Sequence, residues 1–271
     1  MGTGRRIRAA IGALGLAVVL VAALAGCSQQ AAAPTSSGAA PAKPAELNIS
    51  AAASLKSLLQ TTAPAFEKPN DAKAVFNFGA SGTLLKQIEA GSPCDVFVSA
   101  SPKQVATATA EGLVSADTTV TFASNDLVII VPKGNPKGIH GPADLAKANK
   151  LSTGDPAVAP VGTSAQEWLT NLGTWTSLKP KFVLAQNAAQ NTDYVARNEV
   201  DAGISFASDA HGRSDVEVVY TVPVGQYKPI RYVACVIKAS RQAELAKKYT
   251  AFLMSPEFQK ALVSAGFKPA P

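Results

Sequence analysis

The chain has 271 residues, 47% hydrophobic and 16% charged, so it can bury a core and is excluded from the wholly disordered class. Two histidines and three cysteines are too few for a zinc or iron–sulfur scaffold or a disulfide-rich miniprotein. The formal charge of +6 shrinks once Arg5, Arg6 and Arg8 are set aside with a removable leader: 22 basic residues then face 19 acidic ones. That balance gives no case for nucleic acid, and no basic run with interleaved aromatics occurs.

Residues 1–8 are basic and Ala9 to Gly26 is an unbroken apolar run, short of the ~20 residues a membrane span needs. It ends in Leu24-Ala25-Gly26-Cys27 and resembles the bacterial lipoprotein signal, which implies cleavage before Cys27 and acylation of that cysteine. Residues 1–26 are thus expected to be a signal peptide. Residues 27–46, rich in Ala, Pro, Ser and Gln, form the expected lipidated tether, since nothing in them offsets the entropy of ordering. The protein is expected on the outer face of the cytoplasmic membrane, held by its lipid anchor.

From Leu47 onward the pattern alternates. Strands are expected at Leu47–Ser50, Val75–Phe78 and Asp95–Ser99, with helices after each. The first helix carries Leu55, Leu58, Leu59, Ala63 and Phe66 at helical spacing, and Pro64 is expected to end or kink it early. The second buries Leu84, Leu85 and Ile88 and stops at Gly91, and Pro102 suits the first turn of the third. A second block opens with the strand Leu127–Val131. Helices are expected at Asp144–Lys147, Thr163–Leu172 and Thr192–Asn198, and strands at Leu151–Ser152, Phe182–Leu184 and Gly203–Phe206. Tyr232–Ile237 is a further strand, and Gln242–Phe267 reads as helix broken at Ser255-Pro256. Such alternation predicts α/β layers with mostly parallel sheets.

Two stretches share one design of strand, small residues, serine and helix start: Ile49 to Leu55 and Phe78 to Leu84. Either serine alone could be an ordinary helix cap. Two of them, both at carboxyl ends of parallel strands, point to the crevice where open α/β sheets bind ligands. Helix N-termini offer unpaired N–H groups and partial positive charge, so the expected ligand is an anion. Gly154 to Gly162 is a third such turn, equally readable as a plain proline-rich connection.

The motifs AAASL (Ala51–Leu55), FGASGTLLKQIEAG (Phe78–Gly91), DVFVSAS (Asp95–Ser101), LVIIVPKG (Leu127–Gly134), GDPAVAPVG (Gly154–Gly162), ARNEVDAGISFASDA (Ala196–Ala210) and SPEFQKALVSAGF (Ser255–Phe267) occur in order. In that order they resemble the molybdate-binding proteins of bacterial molybdate ABC transporters, within the type II periplasmic-binding-protein superfamily. The resemblance implies a ligand set of Ser54, Ser81 and backbone amides at Val161 and Ala188. It also implies a tyrosine hydroxyl where this chain has Phe206, which cannot donate, so that a donor is lost or replaced, with Ser205 or a water as substitutes. Molybdate and tungstate accept hydrogen bonds only, whereas phosphate keeps a proton at neutral pH and wants an acceptor; sulfate is not excluded this way. No cofactor is expected, and molybdenum would enter only as its oxyanion.

Other readings have less support. Neither Ser54 nor Ser81 sits in a G-x-S-x-G or S-x-x-K motif, and His140 and His211 lie in polar loops, against a serine hydrolase. Ferric-ion binders of this fold use clustered tyrosines, whereas Tyr194, Tyr220, Tyr227, Tyr232 and Tyr249 are scattered. Cys94 and Cys235 either pair or stay separate thiols. The expectation is a two-lobed, monomeric binding protein without catalysis. Lobe one spans 47–124 and 229–271, lobe two 125–228, and two crossings near Ser124–Asp126 and Lys228–Tyr232 form the hinge. Its partners are the oxyanion and an ABC permease.

Overall fold

The computed structural model describes residues 43–270. The expected signal peptide, Cys27 and most of the tether lie outside them. The six strands of the first sheet are β1 (Ala45–Ala52), β2 (Ala72–Gly79), β3 (Val96–Ser99), β4 (Val120–Asn125), β10 (Ile230–Val236) and β11 (Lys268–Pro269). Their spatial order is β11-β4-β10-β3-β1-β2. The second sheet, ordered β7-β6-β8-β5-β9, holds β5 (Leu127–Pro132), β6 (Leu151–Gly154), β7 (Phe182–Ala185), β8 (Ala202–Phe206) and β9 (Val216–Thr221). The chain thus leaves the first sheet at Asn125, enters the second at Leu127, and returns between Thr221 and Ile230. The result is a two-lobed α/β fold.

The helices flank these sheets: α1 (Lys56–Asn70), α2 (Ser81–Glu89), α3 (Pro102–Ala110), α4 (Pro160–Asn171), α5 (Trp175–Leu178), α6 (Ala188–Ala196), α7 (Ala207–Ala210), α8 (Ala243–Phe252) and α9 (Pro256–Ser264). Several starts are set by capping: the Ser101, Asn187 and Ser255 side chains accept from Lys103, Gln190 and Phe258 amides, and Pro102 and Pro256 open their helices.

The sheets are mixed rather than mostly parallel. The β1–β2, β1–β3, β6–β7 and β6–β8 pairs are parallel, whereas every pair made by β10 or β5 is antiparallel. Strands β1, β2, β3, β6 and β8 end at the interlobe side. A strand arriving from the other lobe starts there and must run away from it. β10 does so between β3 and β4, and β5 between β8 and β9, so each crossing creates two antiparallel neighbours.

Three local differences from the sequence expectation have physical causes. Helix α1 runs through Pro64 and Pro69 to Asn70 instead of stopping early. The carbonyl that Pro64 leaves unpaired belongs to exposed Gln60, where water can serve it, while Phe66 is locked against Tyr249 and Phe252 at centroid distances of 4.9 and 5.7 Å. Strand β1 begins at Ala45, whose N–H donates to the Asp71 carbonyl, so the last tether residues are part of the sheet. Strands β4 and β9 went unread because their residues carry no strong apolar run: VTFASN is small and polar around Phe122, and VEVVYT is a partly exposed edge.

One aromatic cluster fills the first lobe and reaches the hinge. Tyr232 packs edge-on against Phe267 at 5.3 Å and against Phe206 of the second sheet at 6.3 Å. Cys94 and Cys235 are free thiols, and burial raises the pKa of both, that of Cys235 to about 12, so neither is reactive at neutral pH. Trp168 is a core residue stacked on Tyr220 at 6.1 Å, with its Nε1–H donating to Gln226 at 2.9 Å. No described helix is long and apolar enough to cross a membrane.

Candidate functional site

The carboxyl ends of β1, β2 and β6 each turn directly into a helix or helical turn, as does the end of β7 through Gln186 and Asn187. These turns meet between the two sheets around a small, tightly closed cavity of about 10 Å³. Its walls are Ala52–Ser54, Gly79–Ser81 and Ala100 from the first lobe, and Ala159–Val161, Asn187, Ala188 and Phe206 from the second. Ser54, Ser81, Val161, Ala188 and Phe206, all singled out from sequence, are therefore brought together in one place. No side chain in this wall is charged.

Each donor is positioned by its element. Ser81 is the first residue of α2 and fully buried; its Oγ accepts the Ala100 N–H from the end of β3 at 3.0 Å, which leaves its own proton for the cavity. Ser54 lies in the 3-10 turn Ala53–Leu55 ahead of α1, and its Oγ shares a hydrogen bond of 3.0 Å with the Tyr232 hydroxyl. Val161 and Ala188 fall in the first turns of α4 and α6, where backbone N–H groups have no intrahelical partner. The four helices have 15, 9, 12 and 9 residues, and each starts at or just after residues of the cavity wall, where its dipole is positive. Such an arrangement holds a compact anion with amide and hydroxyl donors and offers little to a cation.

The small residues are sterically required. A Cβ on Gly162 would lie 1.9 Å from the Gly154 carbonyl oxygen, and one on Gly154 would lie 2.7 Å from the Ala159 and Val161 side chains. The turn between β6 and α4 closes only because both are glycine.

Phe206 ends β8 and is 1% exposed, so its ring serves as an apolar wall. Ser205 does not substitute for the missing hydroxyl. Adjacent strand residues face opposite ways, and the Ser205 Oγ is spent on Thr192 Oγ1 at 2.9 Å.

Sequence reasoning missed the polar cluster beneath Ser54. Asn125, the last residue of β4, donates through Nδ2 to Ser208 Oγ at 2.7 Å and to the Tyr232 hydroxyl at 3.2 Å. No motif marks these residues; their only signal was position, at the expected crossings. A larger hollow, about 670 Å³ around Asp95, Lys238 and Arg241, lies at the amino ends of β1 and β3. Asp95 there is occupied in bracing Asn48 and Ser240. Asp155 likewise braces its own turn, accepting the Ala157 N–H at 2.9 Å. Among the described residues no group of three His, Cys, Asp or Glu could hold a metal ion.

Two lobes joined by two crossings, with a cavity between them walled by both, define the class of two-lobed solute-binding proteins. Residues 47–268 match the family of bacterial extracellular solute-binding proteins, and the chain belongs to that family, whose members bind solutes for transport rather than catalyse reactions. It is 33% identical over 232 residues to the molybdate-binding protein ModA of Haemophilus influenzae, covering 82% of this chain and 90% of the relative. It is 32% identical over 236 residues to the Escherichia coli ModA, covering 85% and 91%. Among solved structures, the substrate-binding domain of a putative molybdenum ABC transporter from Clostridium difficile matches with a TM-score of 0.65 and 36% identity, over 84% of this chain and all of that one.

Proposed function

We propose that this protein captures molybdate, and tungstate with it, in the cavity between its lobes and delivers it to an ABC permease. The observation that carries the reading is the wall itself: hydroxyls and helix N-termini contributed by both lobes, with no charged side chain. A fully deprotonated dianion accepts from every such donor. Hydrogen phosphate would bring a proton for which the wall has no carboxylate. The ligand set is Ser54, Ser81 and the Val161 and Ala188 amides, with Phe206 as a non-donating wall. The ModA names of the relatives support the choice of metal oxyanion.

The same reading includes closure and location. Lobe one (47–124 and 229–271) and lobe two (125–228) each supply part of the donor shell, so the ligand favours the closed form, which is the form the permease receives. Cys27 carries the lipid that keeps the monomer at the outer face of the membrane.

Calorimetric titration of the soluble domain with molybdate, tungstate, sulfate and phosphate tests the reading. Tight binding of the first two and none of phosphate is expected. Tight phosphate binding, or no heat with molybdate, overturns it. Mass spectrometry of the membrane-extracted protein tests Cys27 separately, since an unacylated amino terminus removes the anchor.

A further inference from the structure

We propose that Tyr232 is a positioning residue for ligand capture: its phenol donates to Ser54 Oγ and thereby turns the Ser54 proton into the cavity. The inference rests on the oxyanion reading given above and adds to it the group that sets one donor's direction.

Following the protons through the cluster gives the assignment. Asn125 Oδ1 accepts backbone N–H groups from Asp126 at 2.9 Å and Ser208 at 3.4 Å, which fixes the amide's orientation. Both Nδ2 protons are then directed outward, one to Ser208 Oγ and one to the Tyr232 oxygen. The Tyr232 oxygen accepts there, and its single proton has two hydroxyl oxygens within reach, Ser54 Oγ at 3.0 Å and Ser208 Oγ. Ser208 Oγ already takes the shorter Asn125 bond of 2.7 Å, which favours Ser54 as the acceptor. A phenol is also a stronger hydrogen-bond donor than an aliphatic alcohol, which favours the same direction. Tyr232 is fully buried, and burial, with the nearby Asp209 charge, raises its pKa, so the phenol keeps its proton at any neutral pH.

Ser54 consequently receives one hydrogen bond and has its own proton free. Ser81 is arranged in the same way by a different donor, the Ala100 amide. Both serines thus face the cavity as donors, each at the end of a short polarised chain. For Ser54 the chain starts at Asn125 and Tyr232, the last residue of the strand before one crossing and an early residue of the strand that follows the other. The contact that aims the donor is therefore made by the hinge.

The test is a double-mutant cycle read by molybdate titration of the intact soluble domain. Tyr232→Phe keeps the ring contacts and removes only the hydroxyl. It is expected to weaken molybdate binding about tenfold, as for one neutral hydrogen bond. The same loss is expected in a Ser81→Ala background, and less than about twofold in a Ser54→Ala background, where there is no proton to aim. A variant that merely loosened the fold would lower affinity equally in all three. Equal losses, or no loss in the wild-type background, overturn the positioning role. A wild-type protein that binds no molybdate overturns the oxyanion reading itself, which is a different result. Fluorotyrosine at 232, a stronger donor of nearly the same shape, provides a second measurement if Y232F fails to fold: tighter binding supports the role and unchanged binding overturns it.

Discussion

The backbone N–H of Gly82, on α2 of the first lobe, donates to the Val158 carbonyl of the second lobe at 2.9 Å. This is a latch across the mouth of the cavity, and it depends on the absence of a side chain. A Cβ at position 82 would lie 2.7 Å from the Val158 oxygen and 3.0 Å from its Cα, both backbone atoms that cannot swing aside. Gly82→Ala is therefore expected to hold the lobes apart while leaving each lobe sound. Alanine is the better helix former by about 1 kcal/mol, so thermal stability should hold or rise. Molybdate affinity should fall at least tenfold, with a radius of gyration in solution that no longer contracts on adding ligand. Unchanged contraction would remove the latch from the account.

The two serines are predicted to differ in what their loss does to the empty protein. Ser81 is completely buried and its Oγ satisfies the Ala100 N–H, so Ser81→Ala strands a buried amide and should cost about 1–3 kcal/mol of stability besides weakening the ligand. Ser54 is half-buried, so water entering the space of its hydroxyl can take the Tyr232 proton, and Ser54→Ala should weaken the ligand with under about 1 kcal/mol lost from the fold. Urea unfolding of both variants without ligand makes the comparison. Equal destabilisation would mean that Ser81 does not hold the end of β3 as described.

The legible part of this molecule was local. Strand–serine–helix turns at Ser54 and Ser81, and the glycines at 154 and 162, announce themselves because helix N-termini and tight turns demand particular residues in sequence order. Their convergence on one cavity follows from parallel strands ending on the same side. What stayed hidden was non-local or weakly patterned. The reversed direction of β5 and β10 depends on where the chain crosses, not on any residue in those strands. β4 and β9 carry too few buried apolar residues to register. The Asn125–Tyr232–Ser54 cluster joins residues 107 and 178 positions apart, and no spacing rule reaches that far. Pro64 was overweighted because a lost hydrogen bond facing water costs less than the packing of Phe66 returns.

Phe206 is the one wall position where the resemblance implies a hydroxyl that this chain lacks. Its ring meets the Tyr232 ring edge-on at 6.3 Å, and the residue is 1% exposed. Phe206→Tyr adds one donor to a site made of donors. It should tighten molybdate by up to about tenfold, as for one further hydrogen bond to an anion, while a ligand that needs an acceptor gains nothing. Titration of F206Y with molybdate and phosphate measures this. A loss of molybdate affinity would mean the cavity has no space for the oxygen.

Asp209 gives the fold a pH dependence of predictable sign. Its Oδ2 is buried without a hydrogen-bond partner, one residue beyond Ser208. Burial, with the Asp193 charge adding and Arg213 opposing, raises its pKa from 3.8 to about 7. The native state therefore keeps a proton that the unfolded chain releases near pH 4. A raised native pKa means that this group's contribution is fully present below pH 4 and is lost as pH rises through about 7, by an amount of order 4 kcal/mol. Asp209→Asn carries a neutral group at every pH and should be spared that loss. Melting curves from pH 5 to 8.5 should show the wild type falling relative to D209N until about pH 7 and then running parallel to it. Curves parallel throughout would mean that Asp209 is ionised and solvated across the range, and that the buried oxygen finds a partner in solution.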